Sequence, residues 1–129
     1  MTKTIRVAPQ NSMVVIMDSS REGELPKKLG RPRVRATASC VLVGTLVDAD
    51  GETEIVVGGP EAVGEAEGQP VFDGFIEAPT GRVAIFSVVW EKFCELPVPA
   101  GSTRVRVWTN HPSEPDHIIV VLGGSELDS

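Results

Sequence analysis

Residues 103–109, Thr-Arg-Val-Arg-Val-Trp-Thr, alternate without a break: Val105 and Val107 fall on one side, Arg104, Arg106 and Trp108 on the other. A period of two predicts a strand with one face turned to a core. Residues 4–8 and 13–17 are shorter β-favouring runs, parted by Pro9-Gln10-Asn11-Ser12, which predicts a turn. Residues 34–47 alternate at first, then become apolar on both sides through Val41, Leu42 and Val43. That predicts one strand running from an edge-like start into a buried middle. Asp48-Ala49-Asp50-Gly51 then reads as a hairpin turn, because glycine accepts positive φ, with residues 53–57 returning.

Further along, Gly58-Gly59-Pro60 ends a strand, and residues 61–69, rich in Ala, Glu and Gly, predict a mobile loop or one weak helical turn. Residues 71–78 resume strand character, with Phe72 and Phe75 offset in parity around Gly74, so a bulge is expected there. Residues 83–89 are apolar on both sides and predict a central strand; 90–96 fit a short helical turn or another strand. Residues 118–122 form a last buried strand, and 123–129 are expected to fray. The polar stretch 18–32, with two glycines and two prolines, reads as a long surface loop. The sum is eight or nine strands in one domain, 1–129, and an all-β antiparallel β-sandwich or jelly roll.

The kinds of apolar residue strengthen this reading. The chain holds 19 Val and 7 Ile against 7 Leu, and branching at Cβ suits a pleated strand better than a helix. Gly and Pro, 13 and 10 of 129 residues, punctuate the chain too often for long helices. No run approaches the roughly 20 apolar residues of a bilayer span, and residues 1–6 lack the apolar stretch of a signal peptide, which points to the cytoplasm. The only cysteines, Cys40 and Cys94, stand outside any CxxC pair and read as buried small hydrophobes.

Charge changes the picture more. A net charge of -6 argues against affinity for nucleic acid or anionic membrane. Between residues 36 and 81 there is no Lys, Arg or His, yet nine acids occur, Glu52 and Glu54 among them. Six of the 12 Lys and Arg residues sit in residues 21–35, just before. Such one-sidedness permits docking to a basic protein; its plain reading is a solubilising surface. The Arg104, Arg106 and Trp108 stripe offers two guanidinium groups beside an indole, able to hold an acidic partner or stack on flat groups. Its plain reading is a solvated sheet face with Trp under Arg stems.

Catalytic signals are sparse. His111, Asp116 and His117 are the one His/carboxylate cluster, whose residue types could ligate a metal, although Pro112 and Pro115 make the spacing irregular. The bases for nucleophilic catalysis would be these histidines, paired with Ser87, Cys94 or Ser102. No GxSxG, Walker A, GxGxxG or HExxH pattern occurs, and no cofactor is implied.

Three consecutive stretches carry a resemblance: Phe-Asp-Gly-Phe-Ile-Glu-Ala at 72–78, Pro-Thr-Gly-Arg-Val-Ala-Ile-Phe-Ser at 79–87, and Leu-Pro-Val-Pro-Ala-Gly-Ser-Thr-Arg-Val-Arg-Val at 96–107. Over roughly the C-terminal 40%, the chain resembles the competence-nuclease inhibitor family of small bacterial all-β proteins. The resemblance implies a β-sandwich that binds and blocks a nuclease or toxin, with an acidic face imitating nucleic acid, and it carries no catalytic residue. The sequence thus leads to a non-enzymatic binding domain with a protein partner. The alternatives are a jelly-roll small-molecule or metal protein using His111, Asp116 and His117, and a structural subunit that self-associates.

Overall fold

Ten strands, nine of them containing Val or Ile, are found among the described residues of the computed structural model, which are 2–9, 12–23, 34–46, 50–66, 68–111 and 115–123. They are β1 (Thr2–Val7), β2 (Met13–Asp18), β3 (Val34–Ala36), β4 (Cys40–Gly44), β5 (Thr53–Gly58), β6 (Phe72–Ala78), β7 (Arg82–Ser87), β8 (Lys92–Pro97), β9 (Gly101–Thr109) and β10 (His117–Leu122). One sheet has the order β1-β5-β10-β9-β6, the other β3-β4-β2-β7-β8. The all-β sandwich expected from the sequence is therefore present, with ten strands in place of eight or nine. One pair, β5 with β10, runs parallel; all others are antiparallel.

Period-two alternation divides each strand between an interior and an outer face. Val14 and Ile16 of β2, Ile85 of β7, Val105 and Val107 of β9 and Ile118 and Val120 of β10 meet between the sheets, each at most 1% exposed. Burying one such side chain stabilises the fold by about 1.5–3 kcal/mol. The outer faces are buried as well. On the β2 sheet Val15, Met17, Cys40, Leu42, Ala84 and Phe86 form a second cluster, joined by Trp90. Trp90 has φ 68°, a left-handed conformation that costs a non-glycine residue energy. Two contacts of the indole offset this: Phe86 meets it edge to face at 5.6 Å, and the Arg21 guanidinium lies over the ring 5.6 Å from its centre.

A third cluster, Val56, Ala62, Trp108, Ile119 and Val121, covers the outside of the β9 sheet, where a short 3-10 helix, Pro60–Glu65, lies across β5 and β10. This helix falls where the sequence left a choice between loop and helical turn. The uncertain stretch after Trp90 is strand β8.

Three local expectations are corrected. Residues 34–47 are not one strand: the chain reverses at Thr37-Ala38-Ser39, where Thr37 N–H donates to Cys40 O (2.9 Å) and Thr37 Oγ1 accepts from Ser39 N–H (3.2 Å), so β3 pairs back on β4. Such hydroxyl-supported turns compete with strand continuation. β4 and β5 are not a hairpin either. β4 lies between β3 and β2, and β5 between β1 and β10 in the opposite sheet, so each doubly apolar strand is flanked on both edges. There is no bulge at Gly74, because β6 keeps continuous register with β9 from Phe72 to Ala78. Phe72 and Phe75 simply face opposite sides, one packed against the core and one 47% exposed. Gly74 is needed for another reason: a Cβ there would come within 2.8 Å of the Phe72 ring. Most of the predicted 18–32 loop and of the 123–129 tail lies outside the described residues.

Candidate functional site

The alternation of β9 does place Arg104, Arg106 and Trp108 on one face, but that face is not open to solvent. Their exposures are 5%, 3% and 9%. The 3-10 helix and the chain after it cover Trp108: Ala62, Val63 and Ala66 pack with it, and its indole N–H donates to Gly68 O at 3.0 Å. No alternation within a single strand could reveal that covering segment. Arg104 makes a two-pronged ion pair with Asp73 of β6, Nε to Oδ1 at 2.9 Å and Nη2 to Oδ2 at 2.7 Å. Hydrogen bonding by Arg104 holds the Asp73 carboxyl below the usual carboxylate range, against a smaller opposing effect of burial. Arg106 sits directly across from Asp73 in register, yet its Nε and Nη2 are buried with no hydrogen-bond partner among the described residues.

Glu54 and His117 do come together, on adjacent strands at 2.9 Å (Oε1 to Nδ1), and the other Glu54 oxygen takes Arg6 Nη2 at 2.9 Å. Glu52 is exposed just before β5. Asp116 accepts from Asn110 Nδ2 at 2.6 Å, and Asn110 Oδ1 accepts the backbone N–H groups of Asp116 (3.1 Å) and His117 (3.2 Å). Asn110 thereby fixes the entry to β10. His111 is exposed before the undescribed residues 112–114. Among the described residues no group of three His, Cys, Asp or Glu is placed to hold a metal.

Of the candidate nucleophiles, Ser87 is buried, and its Oγ accepts from Val89 N–H (3.2 Å) and Glu91 N–H (3.0 Å), a turn-forming role. Ser102 is exposed near the start of β9. Both cysteines are free thiols. Burial pushes the Cys40 thiol up to about 12 and raises that of half-buried Cys94, which makes both poor nucleophiles.

Sequence reasoning missed a different arrangement at the outer edge of the β9 sheet. β6 turns Asp73, Phe75 and Glu77 outward, and Val71 (50%), just before the strand, and Phe75 (47%) are among the few large apolar side chains left exposed. Beside Glu77 the two sheets meet, since Glu77 N–H donates to Ala38 O at 2.8 Å. There a cavity of about 330 Å³ opens, lined by Asp18, Ser20, Glu22, Thr37, Ser39 and Glu77, with Gly23, Ala38 and Pro79 completing the wall.

The end of β2 and the following turn position Asp18, which is only 3% exposed. Burial disfavours its charge, but hydrogen bonding by Ser20, through its side chain and its N–H (3.0 Å), and by Thr80, through Oγ1 (2.8 Å) and N–H (3.0 Å), outweighs that and holds the carboxyl below its ordinary value. The cavity therefore carries negative charge at neutral pH, and none of its described lining residues is basic. Its parts come from residues 18–23, 37–39 and 77–79. The acids are visible in the sequence, but their convergence depends on the two sheets meeting at this corner.

No protein-family model matches the chain, and no curated protein matches it. Solved structures do. One is the crystal structure of ComJ from Bacillus subtilis, described as an inhibitor of the DNA degrading activity of NucA; it aligns with a TM-score of 0.67 at 10% identity, covering 95% of this chain and 96% of that one. Another, described as crocagin biosynthetic gene J, aligns with a TM-score of 0.55 at 14% identity, over 98% of both chains. The likeness to a nuclease inhibitor thus extends beyond the C-terminal 40% that carried it in the sequence. At these identities what is shared is the fold. Among the described residues no helix is long and apolar enough to cross a membrane.

Proposed function

We propose that the chain is a non-enzymatic binding domain of the inhibitor or immunity type, and that it docks a basic protein partner through the outer edge of β6. The observation that carries this reading is the pairing of exposed apolar residues, Val71 and Phe75, with neighbouring carboxylates, Asp73 and Glu77, the last of which also lines an acidic cavity. Apolar anchors inside a charged rim are what protein interfaces use, the anchors for affinity and the charges for approach and selectivity. The fold shared with ComJ supports an inhibitor-type role, and the acid-rich stretch supports a partner that ordinarily holds nucleic acid, such as a nuclease or nucleic-acid-directed toxin.

The test is affinity capture from host lysate at low salt with the unmodified chain, Phe75→Asp and Glu77→Lys, followed by assay of the captured protein for nuclease activity with and without the chain. The expected result is a basic protein, retained by the unmodified chain, lost with both variants, released as salt rises, and inhibited on binding. Capture indifferent to both substitutions, or native mass spectra showing only a homodimer that Phe75→Asp dissolves, would refute this reading.

A further inference from the structure

Resting on that reading, we infer that β6 receives the partner by strand addition: an extended basic segment pairs antiparallel with the open edge of β6 at Asp73 and Phe75. β6 is the last strand of its sheet, with β9 as its only neighbour there. Glu77 N–H leaves the sheet to reach Ala38 O at 2.8 Å, so it points away from β9. In an antiparallel ladder the N–H and C=O of one residue point to the same edge, and residues two apart point alike. Asp73 and Phe75 therefore aim four backbone groups at the open edge, which the turn at Ala38 closes beside Glu77. No bulge or proline, the common means of blocking an edge, interrupts β6 from Phe72 to Ala78.

Side chains choose the occupant. Ile76 and Ala78 turn to the core, whereas Asp73, Phe75 and Glu77 share the outer face and are all exposed. Asp73 keeps 40% of its side chain open although Arg104 engages it. A residue added opposite Phe75 lies against that ring and diagonally within reach of Glu77, and one opposite Asp73 meets its carboxylate. Arginine or lysine suits both places, with an apolar stem to cover Phe75 and a charged head for an acid. The segment that fits is extended and carries basic residues at alternate positions. A second copy of β6 fits less well, because the strand contains no Lys or Arg to bring to the acids.

The experiment is an NMR titration of the isotope-labelled full chain at low salt with the peptide acetyl-Thr-Thr-Arg-Thr-Arg-Thr-Thr-amide. Three relatives accompany it: one with Glu for both Arg, one N-methylated at an Arg, and one N-methylated at the Thr between them. In an added strand the Arg amides face β6 and that Thr amide faces away, so only the first methyl group removes a bond to the edge. Expected are saturable shifts and slowed solvent exchange at the Asp73 and Phe75 N–H groups, with a Kd on the order of 1 mM. The Glu peptide should bind at least tenfold more weakly, and methylation at Arg should cost at least fivefold. Methylation at Thr should leave binding within twofold, and Glu77→Gln should weaken the parent peptide about threefold. Equal binding of the two methylated peptides, equal binding of the Glu peptide, absence of saturation, or unprotected Asp73 and Phe75 amides would each overturn the assignment. So would a dimer that protects the same two amides without peptide, which would give the edge to a second copy. If the methylation pattern fails while Phe75→Asp still abolishes capture of the partner, the docking face stands and only strand addition falls.

Discussion

Arg106→Met should make the protein more stable, although it deletes one of the most buried side chains of β9. Arg106 is 3% exposed, and two of its donors, Nε and Nη2, are shielded from water without a hydrogen bond among the described residues. Each unmet buried donor costs about 1–3 kcal/mol, and removing an imperfectly paired buried charge in favour of an apolar side chain of similar shape is neutral or stabilising by about 1–4 kcal/mol. Against this stands attraction to Asp73, whose carboxylate is 40% exposed and already engaged by Arg104, a pull worth about 1 kcal/mol or less after screening. The net expectation is a gain of about 1–2 kcal/mol, or a rise in Tm of roughly 3–8 °C for a chain of this size. Guanidinium unfolding followed by Trp fluorescence, with calorimetry, measures it. Arg104→Met is the internal control. Arg104 spends Nε and Nη2 on Asp73, so its loss should cost about 1.5–3 kcal/mol. Neighbours on one strand face would then change stability in opposite directions. Destabilisation by both substitutions, or a loss above about 1 kcal/mol for Arg106→Met, would refute the reasoning by showing that the Arg106 guanidinium is satisfied in solution.

Glu95 gives a pH prediction. Hydrogen bonds from Lys92 and Ser19, and one from Arg82, depress its carboxyl from 4.5 to about 2, so the unfolded chain binds more protons between those values and stability falls as pH drops through that window. Glu95→Gln should therefore flatten the stability profile from about pH 4.5 to 2 as read by urea unfolding, and an unchanged slope would remove Glu95 as its source. Gly74→Val should lower stability by about 1–3 kcal/mol through the clash with the Phe72 ring, and Phe72→Leu should recover part of the loss in the double variant. Iodoacetamide at pH 8 should leave Cys40 unmodified in the folded protein and label it in denaturant, as peptide mass spectrometry would reveal; rapid native labelling would contradict its burial.

The sequence could disclose the strands because each is a local pattern. Val105 and Val107 against Arg104, Arg106 and Trp108 settled the faces of β9, and the doubly apolar 83–89 marked a central strand, β7, with neighbours on both edges. Pairing is not local. The turn signal at Asp48-Ala49-Asp50-Gly51 is compatible with a hairpin, and nothing in it says that β4 and β5 enter opposite sheets. The same limit governed the site. Exposure of Trp108 in the Arg104, Arg106 and Trp108 stripe was set by residues some forty positions away, where Gly68 receives the indole N–H. Likewise Asp18 and Glu77 belong to strands of different sheets, and only their meeting beside Ala38 makes them a cavity.

Burial of both outer faces narrows where a partner can bind. With one outer cluster centred on Val15, Met17 and Leu42 and the other on Val56, Trp108 and Ile119, surface for recognition is left at the rims. Along one rim β1 and β8 approach each other, and Lys3 Nζ bonds Glu95 O at 2.9 Å. Along another lies β6, an edge strand of the kind that pairs with foreign chains unless charged side chains guard it. Asp73 and Glu77 would suffice as guards, and a strand selected only for that duty has no use for exposed Val71 and Phe75 beside them. The two accounts part on one double variant, Val71→Thr with Phe75→Thr, which keeps the acids and removes the apolar surface. If the edge is merely guarded, stability and partner capture stay within experimental error of the unmodified chain and solubility improves. If it is the docking surface, stability is equally unchanged but capture weakens at least tenfold, because about 1.4 kcal/mol of apolar contact is less than the two side chains would bury. Retained capture in this variant would exclude β6 as the interface even if every acidic substitution abolished binding.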